Sequence, residues 1–163
     1  MKLDDFIQFN PKEILPKGQT FSCVDMSSLQ PFTRKPITYF TSTYKGGSKF
    51  KNGDTIMARI TPCLENGKTS FINFLSQNEI AFGSTEFIVA RAIPNVSLPL
   101  FVYYLLCSKR IRDIAISSMT GSSGRERVQQ ISLNEIEIPD YSLAFQQHIV
   151  DTRRERSLWK KSN

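Results

Sequence analysis

The sequence predicts one α+β domain, in which helices pack on a mixed twisted sheet, followed by a C-terminal helix. Three observations predict this class. A length of 163 residues suits a single domain, and 40% hydrophobic residues are enough to form its core. Segments rich in β-branched and aromatic residues precede segments with helical periodicity. We therefore expect a domain over residues 1–141 and a helical tail over residues 142–163.

The first fifty residues predict short strands separated by loops. Residues 21–24 and 37–40 are short apolar pieces. Prolines and glycines interrupt this part of the chain repeatedly, and Gly46 and Gly47 form an adjacent pair.

Three further strands are predicted between residues 54 and 91. Ile56, Ala58 and Ile60 alternate with their neighbours in the pattern of a half-buried strand. Residues 69–75 and residues 85–91 are rich in Phe, Ile and Val, which favour strands. We expect these three strands to meet in one sheet.

One long helix is predicted after these strands. Ser97 is its expected N-cap, and Pro99 lies in the first turn. Apolar residues then recur at spacings of four and three, which places them on one face that packs on the sheet. They are Leu100, Tyr104, Cys107, Ile111 and Ile114.

The last third of the chain predicts a loop, a short strand and a second helix. Residues 119–128 form a polar, glycine-containing loop, and residues 136–138 precede Pro139 as a short strand. A helix begins near Ser142 and becomes strongly basic from Arg153 onwards. Because this helix has little core of its own, we expect it to need a partner.

The composition points to a cytoplasmic protein with reduced thiols. No run approaches the ~18 consecutive apolar residues of a membrane span, and acids stand where a signal peptide would be basic. Cys23, Cys63 and Cys107 are about forty residues apart, unlike a disulfide framework or a zinc site.

The sequence lacks the residue patterns of the common enzyme classes. Its single histidine, His148, has no spacing that would form a metal site. The glycines form neither type of nucleotide-binding loop. Residues 10–13 begin Asn-Pro, yet no aromatic residue follows to stack on a flipped base, as in adenine methyltransferases. We predict a non-catalytic chain without a cofactor.

The charge distribution favours an anionic partner. The formal net charge is +6, and residues 34–51 contain five cations and no acid, with aromatic residues between them. A solvated face on a basic protein would give the same pattern. The five cations are Arg34, Lys35, Lys45, Lys49 and Lys51.

Two loops carry residues suited to DNA. In residues 120–127, glycines let the backbone approach a ligand, Ser122 and Ser123 offer hydroxyls, and Arg125 or Arg127 can bind guanine or phosphate. A plain mobile loop is equally compatible with this composition. In residues 61–68, the Asn66 amide can pair with adenine and Lys68 can meet a phosphate, although this segment alone would be only a turn.

Several motifs in order give these segments an identity. They are NGDTIMARITPCLENGK at 52–68, FGSTEFIV at 82–89 and MTGSSGR at 119–125, with supporting matches at 9–18 and 147–150. Over roughly residues 1–150 the chain resembles the target-recognition domain of Type I restriction-modification specificity subunits.

This resemblance implies sequence-specific recognition of one half-site of double-stranded DNA in a bacterial defence system. It also implies docking of methyltransferase subunits and assembly with a motor-nuclease subunit. The family has two recognition domains, each followed by a long helix, and the two helices pair as a spacer. Here the sequence departs from that pattern after Val150, so we expect a shortened spacer helix and a partner that is a second copy or a second half-subunit.

A remnant that binds methyltransferase subunits without productive DNA recognition is the alternative. On the first interpretation, we expect eleven residues to contact DNA. They are Arg34, Lys35, Lys45, Lys49, Lys51, Asn66, Lys68, Ser122, Ser123, Arg125 and Arg127.

Overall fold

A computed structural model describes the backbone of residues 1–162 and the side chains of residues 1–154. The end of the predicted tail, residue 163, lies outside the described residues. The strands are β1 (Ile7–Phe9), β2 (Thr20–Val24), β3 (Phe40–Thr43), β4 (Ser48–Phe50), β5 (Thr55–Ala58), β6 (Thr69–Phe71), β7 (Ala81–Gly83) and β8 (Phe87–Ala92). The helices are α1 (Leu3–Phe6), α2 (Pro99–Cys107), α3 (Lys109–Ser117), α4 (Gln130–Asn134) and α5 (Leu143–Ser162).

The strands form two four-stranded sheets. The first has the order β1-β8-β5-β6 and is antiparallel throughout. The second has the order β3-β2-β7-β4, in which β2 and β7 run parallel and the other pairs are antiparallel. The prediction that the strands near residues 56, 70 and 88 share one sheet is confirmed.

The first sheet is the middle layer of the domain. Along β8, Ile88 and Ala90 join the core cluster that contains the helices, whereas Phe87 and Val89 join the cluster that contains residues of the second sheet. All four residues of β5 are buried, so the prediction of a half-buried strand was wrong. Alternation in the sequence reflects two different apolar neighbours, because both faces of the strand are covered.

The predicted long helix is two helices. Ser108 has an extended backbone, with φ −65° and ψ 145°, and its side chain accepts a hydrogen bond from the Ile111 amide. It therefore ends α2 and serves as the N-cap of α3. At the start of α2, the N-cap is Leu98, whereas the Ser97 hydroxyl donates to the Phe6 carbonyl at 2.7 Å.

The last helix begins as predicted and is anchored on α2. The Gln146 side chain is completely buried. Its Oε1 accepts from the Leu98 amide at 2.8 Å, and its Nε2 donates to the carbonyls of Val96 and Tyr141 at 2.9 and 3.0 Å. The predicted strand at residues 136–138 is absent from the described structure, where Glu137 makes only an isolated bridge.

The structure also bears on the predicted state of the cysteines and on membrane-spanning helices. The three cysteines are free, as predicted. None of the described helices combines the length and the apolar character that a membrane span requires. The division at residue 141 stays a prediction.

Candidate nucleic-acid interface

One end of the first sheet brings four separate segments together, and we call it the basic edge. It is formed by Asn10 after β1, Arg59 after β5, Lys68 before β6 and Glu86 before β8. The Arg59 amide donates to the Glu86 carbonyl at 2.9 Å, and the Ala58 amide donates to the Lys68 carbonyl at 3.0 Å. Because adjacent strands run antiparallel, strand ends and strand starts alternate along this edge.

The glycine-containing loop at residues 120–127 is attached to the basic edge. The Val128 amide donates to the Arg59 carbonyl at 2.9 Å, and the Thr61 amide donates to the Glu126 carbonyl at 3.0 Å. Thr120 and Arg127 exchange two backbone hydrogen bonds of 2.9 and 2.8 Å, which close the loop at its base. Its tip, residues 121–125, is exposed, so Ser122, Ser123 and Arg125 face solvent.

Arg127 is engaged by a carboxylate of the same chain. Its Nε and Nη2 donate to both oxygens of Glu86 at 2.8 to 3.0 Å. These hydrogen bonds hold the pKa of Glu86 below its ordinary value, and the charge of Arg59 acts in the same direction. Arg127 is therefore placed to fix the loop on the sheet, and Arg125 is the arginine exposed at the loop tip.

Arg59 belongs to this surface although it was absent from the predicted contacts. Its Nη2 donates to the Gln129 Oε1 at 3.1 Å, and its buried Nε has no hydrogen-bond partner among the described residues. Gln129 in turn donates to the Thr120 hydroxyl at 3.4 Å. The signal in the sequence was a cation directly after the strand β5, and the prediction of a half-buried strand had explained this cation as an outward-facing residue.

A cavity of about 560 Å³ opens beside the basic edge. Lys12, Lys49 and Arg59 give it positive charge, Asn10 and Thr85 add polar groups, and the carboxylate in its lining, Glu13, is paired with Arg91. The Lys49 ammonium donates to the Tyr44 hydroxyl at 3.2 Å and has no carboxylate partner among the described side chains. Such a lining suits phosphate oxygens or the polar edge of a base.

The wall of this cavity depends on a glycine. Gly47 has a φ of +117°, and a Cβ at this position would lie 2.0 Å from the Gly83 carbonyl oxygen. The β3–β4 turn therefore packs backbone against backbone on β7. Lys45 is exposed on the same turn.

The remaining predicted residues are divided between two places. At the basic-edge end of β6, Asn66 is exposed and the Lys68 ammonium donates to the Met26 carbonyl at 3.3 Å. Lys51 is at the other end of β5, where its amide donates to the Asp54 carboxylate at 2.9 Å. Its backbone is therefore outside the basic edge.

Arg34 and Lys35 lie along the open side of β6. The Arg34 carbonyl accepts from the Phe71 amide at 2.8 Å, and the Arg34 guanidinium reaches the Tyr104 hydroxyl at 3.4 Å. Both cations are exposed. The fold thus brings only part of the cationic run at residues 34–51 together with the loops at residues 61–68 and 120–127.

The basic edge carries cations, hydroxyls and amides in addition to Glu86. Among the described residues, no group of histidine, cysteine or carboxylate side chains could hold a metal ion. His148 is exposed on α5. Exposed cations, hydroxyls and amides at one sheet end can neutralise phosphates and donate to base edges.

Two curated proteins are similar to the chain in sequence. Over 106 residues it is 35% identical to the specificity subunit of the Type I restriction enzyme EcoAI from Escherichia coli, a match that covers 65% of the chain and 18% of the relative. Over 157 residues it is 31% identical to the specificity subunit of EcoEI from the same organism, with coverage of 92% and 26%. The chain therefore spans about a quarter or less of these relatives. No protein-family model matches it.

Two solved structures share the fold. One comes from work on complex assembly and conformational transition of the type I R-M system, with a TM-score of 0.66, 19% identity, and coverage of 99% of this chain and 45% of the other. The second is the HsdS subunit from Thermoanaerobacter tengcongensis, with a TM-score of 0.68, 21% identity, and coverage of 88% and 38%. They confirm the α+β class. The sequence matches also bear out the resemblance to Type I specificity subunits that is seen in the motifs.

Proposed function

The chain is related, over nearly its whole length, to one part of the Type I restriction enzyme specificity subunits, and we propose that it reads one half-site of a DNA target. The observation that supports this proposal is the excess of positive charge at the basic edge. Lys12, Lys49, Arg59 and Arg125 have no carboxylate within 4 Å among the described side chains, whereas Arg127 alone is paired there, with Glu86. Lys12 and Arg125 are exposed and Lys49 and Arg59 half-buried, and cations without carboxylate partners attract a polyanion.

Within this proposal the cations have different roles. Lys12 and Lys49 neutralise phosphates, because lysine acts on phosphate as a point charge. Arg125 reads a base edge from the exposed loop tip, since a guanidinium can donate two hydrogen bonds to guanine. Ser122 and Ser123 donate to phosphate oxygens beside it. The Glu86–Arg127 pair keeps the loop in position.

The assembly belongs to the same proposal. Methyltransferase subunits would carry out modification, and a motor-nuclease subunit would carry out restriction. This chain would direct both to the target sequence. A second recognition unit, either a copy of this chain or another half-subunit, would read the other half-site about a two-fold axis. The helix α5, anchored by Gln146, would begin the spacer between them.

A protein-interaction remnant is the second candidate. Leu143 and Phe145, at the start of α5, are 41% and 44% exposed, and the Phe145 ring stacks on Tyr141 with 5.4 Å between centroids. Exposed apolar side chains on a helix favour contact with another protein. On this alternative the chain binds methyltransferase subunits and shows no preference among DNA sequences.

Selection from a randomised duplex pool distinguishes the two candidates. We expect wild-type protein to enrich one short sequence, and Arg125→Ala to lose about 1 to 3 kcal/mol on that sequence with little change on random DNA. Lys109→Ala is the matched control, because Lys109 is exposed and paired with Asp113 on α3. Failure of the wild-type protein to enrich any sequence would contradict half-site reading and favour the remnant.

A further inference from the structure

Four arginines from three parts of the chain line the exposed side of α2, and we call them the arginine cluster. Arg34 lies between β2 and β3 and beside β6, Arg112 lies on α3, and Arg153 and Arg154 lie on α5. Arg34, Arg153 and Arg154 are exposed, and Arg112 is half-buried. Only Arg34 was among the predicted DNA contacts.

Aromatic rings hold three of these arginines in place. The Arg34 Nη1 donates to the Tyr104 hydroxyl at 3.4 Å, and the guanidinium of Arg153 lies 5.2 Å from the centre of the same ring. The guanidinium of Arg112 lies 4.4 Å from the centre of the Phe32 ring. A guanidinium stacked on a ring keeps its N–H edges free, and this geometry suits phosphate recognition.

The cluster concentrates like charge without compensation. None of the four arginines has a carboxylate within 4 Å among the described side chains. Their fields overlap on α2: burial raises the pKa of the Cys107 thiol to about 11, and the charges of Arg112 and Arg153 both oppose that rise. Cations gathered in this way repel one another in the free protein, so an anionic partner would stabilise the arrangement.

The cluster continues from the basic edge along the molecule. The Phe32 ring, on which the Arg112 guanidinium stacks, links the cluster to the basic edge. The Phe32 amide donates to the Gly67 carbonyl at 3.0 Å, next to Lys68 at the start of β6. Beyond Phe32, Arg34 and Arg153 contact Tyr104, and Arg154 follows Arg153 on α5. Arg34 and Arg154 line a cavity of about 450 Å³ at the far end of β6, beside Phe71. The positive surface is thus a track rather than a single pocket.

We propose that the arginine cluster binds the phosphate backbone of DNA flanking the half-site that the basic edge reads. The inference rests on the proposed function for the identity of the polyanion. A track that begins beside the basic edge fits a duplex that continues past it, because phosphates recur along each strand every few ångströms. A short acidic segment of a protein would occupy only one part of the track. The cluster would add affinity without adding sequence preference.

The test compares binding to a random-sequence duplex at several salt concentrations. For the double variant Arg34→Ala with Arg153→Ala, we expect the slope of log K against log salt to flatten by about 0.9 for each phosphate that is no longer neutralised, and thus by nearly 2. The sequence that wild-type protein enriches from a random pool should be unchanged. The variant Arg34→Lys with Arg153→Lys should keep the wild-type slope, because the charges remain.

The control is Lys2→Ala with Lys109→Ala, which removes the same net charge from two exposed lysines paired with Glu135 and Asp113. It should leave the slope unchanged. An unchanged slope in the arginine-to-alanine variant overturns the inference, as does a slope change that the control reproduces. Binding of polyglutamate that disappears in this variant, with DNA binding intact, would also overturn it and point to an acidic protein. Absence of sequence enrichment by the wild-type protein instead contradicts the proposed function, so the two failures are distinguishable.

Discussion

The two ends of the first sheet each carry an arginine–carboxylate group, and the two groups differ in charge balance. At the end away from the loop, Arg91 binds Asp54 through two hydrogen bonds of 2.8 Å and Glu13 through one of 2.9 Å. At the basic edge, Glu86 alone faces Arg127 and the nearby charge of Arg59. The first group has two carboxylates for one arginine, and the second has one carboxylate for two arginines.

Burial explains the difference. Asp54 is 1% exposed, so its charge must be paired, because an unpaired ion in the interior costs several kcal/mol. The Glu86 and Arg127 side chains are 26% and 35% exposed, and water stabilises excess charge there. Charge at the buried end holds the fold together, and at the basic edge most of the cations have no carboxylate partner among the described side chains.

The largest expected effect is on the buried end. Asp54→Ala leaves Arg91 with one partner in a partly buried site, and we expect it to lower the free energy of unfolding by about 3 to 5 kcal/mol. Urea denaturation measures this change. Glu13→Ala should cost less, because Arg91 keeps its two hydrogen bonds to Asp54.

If Asp54→Ala lowered the free energy of unfolding by less than about 1 kcal/mol, its effect would fall in the range of exposed ion pairs. The two ends of the sheet would then not differ in how much their ion pairs stabilise the fold.

The sheet could be predicted because local pattern and tertiary environment agree there. Apolar β-formers in β5 and β8 indicated strands, and these strands do pair. The break at Ser108 was missed because the apolar spacing of four and three runs through it unchanged. Only the capping preference of serine distinguishes two helices from one.

The candidate site was predicted by residue type rather than by position. Loop residues 120–127 and Lys49 do lie at one sheet end, but the pairing of Arg127 with Glu86 joins residues 41 positions apart and leaves no local signal. The displacement of Lys51 from the basic edge likewise follows from strand register. The sequence shows how many cations a segment contains. Which side of the molecule each cation faces depends on strand register and tertiary packing.

A smaller effect is expected on the partly exposed pair of Glu86 and Arg127, and it depends on pH. Because Arg127 holds the pKa of Glu86 below its ordinary value of 4.5, the ion pair stabilises the folded state above that value. The contribution is lost as the pH falls through the lowered pKa. At neutral pH, we expect Glu86→Gln to cost no more than about 1 kcal/mol, as for other exposed pairs.

Urea denaturation of wild-type and Glu86→Gln proteins from pH 7 to pH 3 measures this dependence. The difference between them should shrink below pH 4.5. A difference that is constant over this range would mean that the charge of Glu86 contributes nothing to the fold.

The most direct test of the account compares two lysines that the sequence could not distinguish. Lys49 lines the cavity at the basic edge, and the backbone of Lys51 is hydrogen-bonded to Asp54 at the other end of β5. In salt titrations with a DNA duplex, we expect Lys49→Ala to flatten the slope of log K against log salt by about 0.9 and Lys51→Ala to leave it unchanged. An unchanged slope for Lys49→Ala, or a larger change for Lys51→Ala, would contradict the assignment of the basic edge as the DNA-contacting surface.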